Sequence, residues 1–438
     1  MTHAPSAKWA DIAAALKRPV SWLLLGLGFS AALPFLLVGQ TLGFWMRKDG
    51  ITLTLISYLT GISLMYGLKV LWAPFMDRVR LPLLHRWLGQ RRSYMLLSQI
   101  CVALGLAAMA ILGPKAHLWL FMIAATVVAF SAASQEIAID AWRVEETETA
   151  SDQAINPSLY NLGYRTGNLV TQSLALFLAA QFSWPVTYLV MAGCLVVGVT
   201  STLLAPRTAT ERRHDGPARG FRELIIEPFS SFMREHAGSA GVILLLIALY
   251  RLPDYLIGSV AGTMYVDTGL SETTIAWVRG TFGMAAGFAG IALGGACVLW
   301  LGLERAVWLG AITCPLTKLG FAVMSLSHGD IHVFTGVLIA DDLSNGIAET
   351  AAIALMTRLT GRDHTLTHYA LMYSVMAFTG KILKMFAGQI IDTLTPSLGL
   401  FPAYAAFFTG CAVIGIPALL ICWLARRKGV FSARSYTG

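Results

Sequence analysis

The chain has 438 residues, of which 56% are hydrophobic and only 13% charged, against a soluble average near ~25% charged. A soluble fold of that composition would leave apolar surface it could not cover, so the composition points to an all-α integral membrane protein. The net charge of +8 sits mostly at loop positions, the places that orient membrane helices, and no nucleic-acid partner is expected from it.

In chain order, apolar runs of roughly 20 residues, each long enough for ~30 Å of hydrocarbon, predict spans at 22–46, 52–73, 93–113, 118–142, 157–180, 184–204, 239–266, 273–300, 305–327, 331–358, 365–393 and 398–425. The polar tail up to Arg18 leads into a long first run without a small-residue cleavage site, so this run reads as a retained helix and not a secretory signal. One long polar stretch, 205–238, carries Arg207, Arg212, Arg213, Arg219, Arg222 and Arg234. It divides the chain into a six-helix half at 1–204, a basic linker and a second six-helix half at 239–438.

Charge placement tests the topology. With both termini in the cytoplasm, 22 of the 32 Lys and Arg fall on inner tails and loops, three on outer loops (Arg47, Lys48, Lys115), and seven within spans. A miscounted helix would erase that asymmetry beyond the error, so it supports twelve transmembrane helices with both termini cytoplasmic. Six helices, a basic central loop and six more is a layout that resembles the major facilitator superfamily. That resemblance implies two related halves with a solute site between them, helices 1, 4, 7 and 10 around the cavity and 2, 5, 8 and 11 as gates.

The loop after the second span runs Lys69-Val-Leu-Trp-Ala-Pro-Phe-Met-Asp77-Arg78 and then, past an insertion, Gly89-Gln-Arg91-Arg92. It resembles the superfamily's signature between helices 2 and 3, which implies a gating latch: Asp77 at a helix end, with Arg78 and Arg91 reaching an acid on helix 4. The same arginines could instead anchor the loop to anionic headgroups. Helix 4 ends Ser134-Gln135-Glu136-Ile-Ala-Ile-Asp140, and Glu136 and Asp140 share one face. Two stacked carboxylates in a membrane require that one takes up a proton or that both face cations. Asp140 is open to either the latch or a transport role; Glu136, a turn deeper, is the stronger proton-coupling candidate.

In the second half, Arg251 and Asp254 lie three apart in helix 7. Asp342, Asn345 and Glu349 fall on one side of helix 10, and Lys381 and Lys384 on one face of helix 11. Such groups are costly in lipid and face a cavity or one another. Structural ion pairs, Arg251 with Asp254 first among them, stand beside a role in binding. Lys384 is the best candidate for an anionic substrate group, and Lys318 on helix 9 has no evident role. Gly283, Gly287, Gly290 and Gly294 at spacings of three and four suit close helix packing. Six cysteines scattered in apolar runs read as structural thiols. A phosphate loop, a His-Glu-x-x-His zinc motif and a Gly-x-Ser-x-Gly elbow are all missing, so neither a metal, a cofactor nor an enzymatic activity is expected.

The patch Ala-Ala-Ser-Gln135-Glu136-Ile-x-x-Asp140-Ala-Trp, together with Leu162-Gly163-Tyr164-Arg165-x-Gly167, resembles the AmpG muropeptide permeases. So do Leu249-Tyr250-Arg251-Leu252-x-Asp254, Asp342-Leu343-x-x-Gly346, Ala354-Leu355-Met356-Thr357 and Tyr369-Ala370-Leu371. Glu136 stands where that pattern carries Asp, and several relatives continue with two more hydrophobic segments. The resemblance implies a monomeric inner-membrane symporter that imports an anionic glycopeptide, anhydro-muropeptide, with protons, in contact with membrane lipid. Its binding residues would be Gln135, Arg165, Arg251, Asn345, Lys381 and Lys384, and its proton-coupling residues Glu136, Asp254, Asp342 and Glu349. Another anionic cargo, acetyl-CoA or a siderophore, is the alternative within transport; a membrane-embedded enzyme or sensor is the alternative outside it.

Overall fold

The computed structural model describes residues 18–146, 150–207, 227–258, 260–359 and 365–431, and these are helical with no strands among them. Hydrocarbon offers no partner to a backbone N–H or C=O, so a spanning segment must bond within itself, as a helix does.

The chain divides into two compact units, Met1–Asp49 with Ile62–Ala218, and Gly50–Gly61 with Arg219–Gly438. In the first, α1 (Pro19–Leu37) opens on a proline, whose missing N–H costs nothing in a first turn, and contains Pro34 near its end. It breaks at Val38–Gly39 and resumes as α2 (Gln40–Lys48). α3 (Leu53–Leu59) is capped by the Thr52 hydroxyl, and single turns from Thr60 to Leu71 lead to α4 (Ala73–Arg78). The insertion in the following loop forms the short α5 (Pro82–Leu88). Gly89, at φ 82, then turns the chain into α6 (Gln90–Leu112). Next come α7 (Leu118–Glu145), α8 (Ala150–Leu169), a π-helical turn at Val170–Leu174, α9 (Ala175–Gln181), α10 (Trp184–Cys194) and α11 (Val196–Leu204). Gly163 and Gly167 of α8 lie against the backbone of Leu25 and Phe29 of α1 so closely that an added methyl group would overlap it. Without a hydrophobic drive between helices in lipid, such small-residue contact is what holds them.

The second unit begins its described part at α12 (Glu227–Glu235). Then follow α13 (Ala240–Tyr250), α14 (Leu252–Ile257), α15 (Ala261–Asp267), α16 (Glu272–Val278), a π-helical turn at Arg279–Gly283 and α17 (Met284–Trp300). It closes with α18 (Leu303–Leu326), α19 (Ile331–Leu359), α20 (Thr365–Leu383), a 3-10 turn at Lys384–Phe386, α21 (Ala387–Leu398) and α22 (Leu400–Arg427). Of the four glycines expected to pack, Gly290 and Gly294 lie against α19, where Gly346 meets Gly290; Gly283 faces Asp342 and Leu338, and Gly287 has open space beside it. Gly50–Gly61 groups with this unit and is bonded to α21. Asp392 accepts from the Thr54 N–H and hydroxyl at 2.7 Å each, and Tyr58 donates to Gln389 at 2.7 Å. Ser57 Oγ accepts from the Gly388 N–H at 2.8 Å.

Eight helices among the described residues are long and apolar enough to cross a membrane: Pro19–Lys48, Gln90–Leu112, Leu118–Arg143, Trp184–Leu204, Ala240–Asp267, Glu272–Trp300, Leu303–Leu326 and Leu400–Arg427. The helical stretches at 53–78, 150–181, 331–359 and 365–398 are interrupted or rich in polar residues. The six cysteines are unpaired thiols.

Candidate functional site

Each unit holds a cluster of charges inside its helices. The larger one, in the second unit, forms where a helix is broken. α13 stops at Tyr250; Arg251, at φ −110 and ψ 12, ends that helix and begins α14, and Pro253 in the first turn of α14 cannot bond back to it. The break places Arg251 and Asp254 side by side, with Arg251 Nε 3.2 Å from Asp254 Oδ2.

Lys318 of α18, unplaced by sequence reasoning, is the centre of this cluster. It is 0% exposed, and its ammonium sits 2.6 Å from Asp254 Oδ1 and 2.5 Å from Asp341 Oδ1. Thr317 also donates to Asp341 at 2.8 Å. Asn345 closes the circuit: its amide N–H donates to Asp341 Oδ2 at 3.0 Å, and its carbonyl accepts from Arg251 at 3.2 Å. Arg251 finally reaches Glu349 Oε2 at 3.5 Å, and that carboxylate is 51% exposed. Two cations thus serve three acids. Lys318 and Asp341 are buried, Arg251 and Asp254 are mostly so, and Glu349 lies at the rim. An isolated charge in this position would cost several kcal/mol, so the buried members depend on one another.

Asp341 was not anticipated, although its spacing to Asn345 and Glu349, i, i+4 and i+8, was a legible stripe. Asp342 departs from the grouping with Asn345 and Glu349. It turns toward Gly283 on the neighbouring helix, where Arg279 is the foremost charge acting on it. Consecutive helical residues point about 100° apart, so Asp341 and Asp342 serve different neighbours. Lys381 and Lys384 lie at the junction of α20 with the 3-10 turn.

In the first unit Lys69 bridges the two stacked acids of α7, at 2.9 Å from Glu136 and 3.9 Å from Asp140. Of the two ways to tolerate that stack, the structure has cations facing both acids. Asp140 is also held by Arg143 at 3.0 Å, and Arg143 lies 4.7 Å from the centre of the Tyr160 ring. Arg91 reaches an acid of the same helix, Glu145, at 3.0 Å, five residues beyond Asp140. The side chains of Asp77 and Arg78 lie outside the described residues. Gln135 does not face open space: it is fully buried and donates to Ser30 of α1 at 2.5 Å. Arg165 is exposed on α8. Trp72 donates to Ser134 at 3.1 Å, above the same acids.

The arrangement can exchange a proton at an acid that shares its cation, and can present cations to an anion. The Major Facilitator Superfamily profile matches residues 20–365. The anhydromuropeptide permease of Escherichia coli (strain K12) is 30% identical over 409 residues, covering 93% of this chain and 80% of that protein. Putative transporter AmpG 4 of Rickettsia conorii is 27% identical over 402 residues, covering 90% and 94%. Among solved structures, the nucleoside transporter NupG superposes with a TM-score of 0.68 at 11% identity, covering 92% of this chain and 99% of that one. A bacterial homolog of the human lysosomal transporter Spinster, inward-facing and unoccupied, gives 0.68 at 13% identity, covering 95% and 98%. The chain belongs to the AmpG muropeptide permease family of the major facilitator superfamily, whose members are multi-pass membrane transporters of small molecules and not enzymes.

Proposed function

We propose that the chain is a proton symporter of twelve spans, both termini cytoplasmic, which imports anhydro-muropeptides across the inner membrane from periplasm to cytoplasm. The observation that carries this reading is the half-exposed Glu349 sharing Arg251 with the buried Asp254. Protonation of Glu349 removes its hold on Arg251, and the guanidinium can then accept a carboxylate of the cargo. Proton and anionic cargo therefore enter together, one exchanging for the other at the same cation. Lys318 is fixed between Asp254 and Asp341 and pairs with both. Lys381 and Lys384 offer a second anchor for the peptide carboxylates. A proton moving down the membrane potential supplies about 2.3 kcal/mol per 100 mV.

The test is uptake of labelled anhydro-muropeptide into proteoliposomes under an imposed pH gradient. Accumulation should follow the inward proton gradient. Glu349→Gln should retain counterflow while losing proton-driven accumulation, because an amide keeps the shape and cannot cycle a proton. Glu136→Gln is the parallel variant in the first unit. Accumulation by Glu349→Gln as steep in pH as the parent's would remove Glu349 from coupling. Uptake of acetyl-CoA or a ferric siderophore in preference to the muropeptide would overturn the cargo.

A further inference from the structure

Outside the site described above, a depression of about 1040 Å³ in the second unit opens where the ends of α18, α19 and α22 meet. Its wall carries Arg305, Arg358 and Arg426 with Trp308 and Trp423, and Glu304 beside them. Glu304 accounts for one cation, pairing with Arg426 at 3.0 Å. Neither Arg305 nor Arg358 has an ion-pair partner among the described residues. Trp423 is stacked by Arg427, whose guanidinium carbon lies 3.7 Å from the ring centre.

Helix ends explain only part of this cluster. Arg358 and Arg426 fall in the last turns of α19 and α22, where a cation complements the carbonyl ends. Arg305 falls in the first turn of α18, where the helix end is itself positive and a cation is disfavoured. Gly302 gives that end no side-chain cap. The depression therefore gathers, among the described residues, two arginines without an ion-pair partner beside the single pair of Glu304 with Arg426.

What kind of anion follows from the rest of α18. Arg305, Trp308, Leu309 and Ile312 stand on one face at i, i+3, i+4 and i+7, and all line the depression. The same stripe continues through Leu316, Leu319 and Val323, which with Ile312 are 41–60% exposed. The charged pocket thus heads an apolar track running the length of a spanning helix. A soluble anion would use the first part of that surface and none of the second. Tryptophans at the level of the arginines suit the headgroup boundary, where an apolar ring with a polar edge is at home.

We propose that this depression binds an anionic phospholipid carrying two phosphates, a diphosphatidylglycerol, with its headgroup on Arg305 and Arg358 and its acyl chains along the outer stripe of α18. Two phosphates match the two arginines that Glu304 leaves uncompensated. The distribution of Lys and Arg assigns this end of the helices to the cytoplasmic side, where basic pockets between helices take such headgroups.

The purified full chain in detergent is titrated with diphosphatidylglycerol, phosphatidylglycerol, phosphatidylcholine and inorganic diphosphate, and retained ligand is read by native mass spectrometry. Diphosphatidylglycerol should bind in preference to the other lipids. Arg305→Gln with Arg358→Gln should weaken it about thirtyfold, from two surface cations at about 1 kcal/mol each. Both residues are exposed, and an unchanged melting temperature without lipid shows that the double variant is folded. Lys48→Gln with Lys115→Gln removes the same charge elsewhere and should leave binding intact. Equal binding by parent and arginine variant would overturn the proposal. So would an equal loss in the lysine control, which would mean diffuse attraction, or displacement by diphosphate at matching concentration, which would mean a soluble-anion site.

Discussion

Lys318 has the most to lose at the scale of a single residue. Wholly buried, it neutralises Asp254 and Asp341 together. Lys318→Met leaves one acid without compensation and should destabilise the protein by about 3–5 kcal/mol, read as a fall in melting temperature in detergent. Lys318→Met combined with Asp341→Leu removes one charge of each sign and should recover more than half of the loss; no recovery would mean the lysine matters for shape and not for charge. Lys384 poses the opposite question. It and Lys381 carry like charge three residues apart, and a carboxylate of the cargo is attracted to both. Lys384→Gln should lower affinity for the peptide-bearing muropeptide by more than for its peptide-free disaccharide, measured by binding titration. Equal losses with a large drop in melting temperature would assign Lys384 to structure.

Elements owe their positions to interruptions as much as to helix. The break at Arg251 and Pro253 turns one apolar run into α13 and α14 and leaves a mostly buried cation at the join. Interrupted helices near the middle of a span are where transporters place polar sites, since backbone groups released there line a cavity. Helix contact is the second determinant. Gly346 of α19 meets Gly290 of α17 so closely that a Cβ at 346 would overlap the neighbouring backbone. Gly346→Val should push these helices apart and move Asp342 from its place beside Gly283. Loss of thermal stability together with transport is the expected outcome, while Gly287→Val, at an open position, should be tolerated. Comparable damage from both would show that the glycines act through flexibility and not through contact.

For the whole molecule, orientation is the first quantity to measure. Reporter fusions at Lys115, Ser183, Leu270 and Asp330 should lie in the periplasm, and those at His85, Ala150, Asp215 and Arg362 in the cytoplasm. One reversed site would mean a miscounted span. Among the described residues, eight helices pass as spans on length and hydropathy alone. The stretch at 331–359 carries Asp341, Asp342 and Glu349, and that at 365–398 carries Lys381 and Lys384. The side chains expected to handle cargo and protons are the ones that lower a helix's hydropathy.

Membrane class, helix positions and the charged residues worth attention were readable in the linear sequence, because lipid penalises each polar group wherever it falls in a span, and each exception therefore stands out. Arg251 with Asp254, and Glu136 above Asp140, needed only helical spacing. Partners on different helices were not readable. That Lys318 joins Asp254 to Asp341, that Lys69 bridges Glu136 and Asp140, and that Asp342 turns away from Asn345 depend on which helix faces which. The same holds for Gln135, which is consumed in a bond to Ser30, and for Gly50–Gly61, which is tied to Asp392. Helical periodicity sets the direction of a side chain about its own axis, and only packing decides what stands opposite.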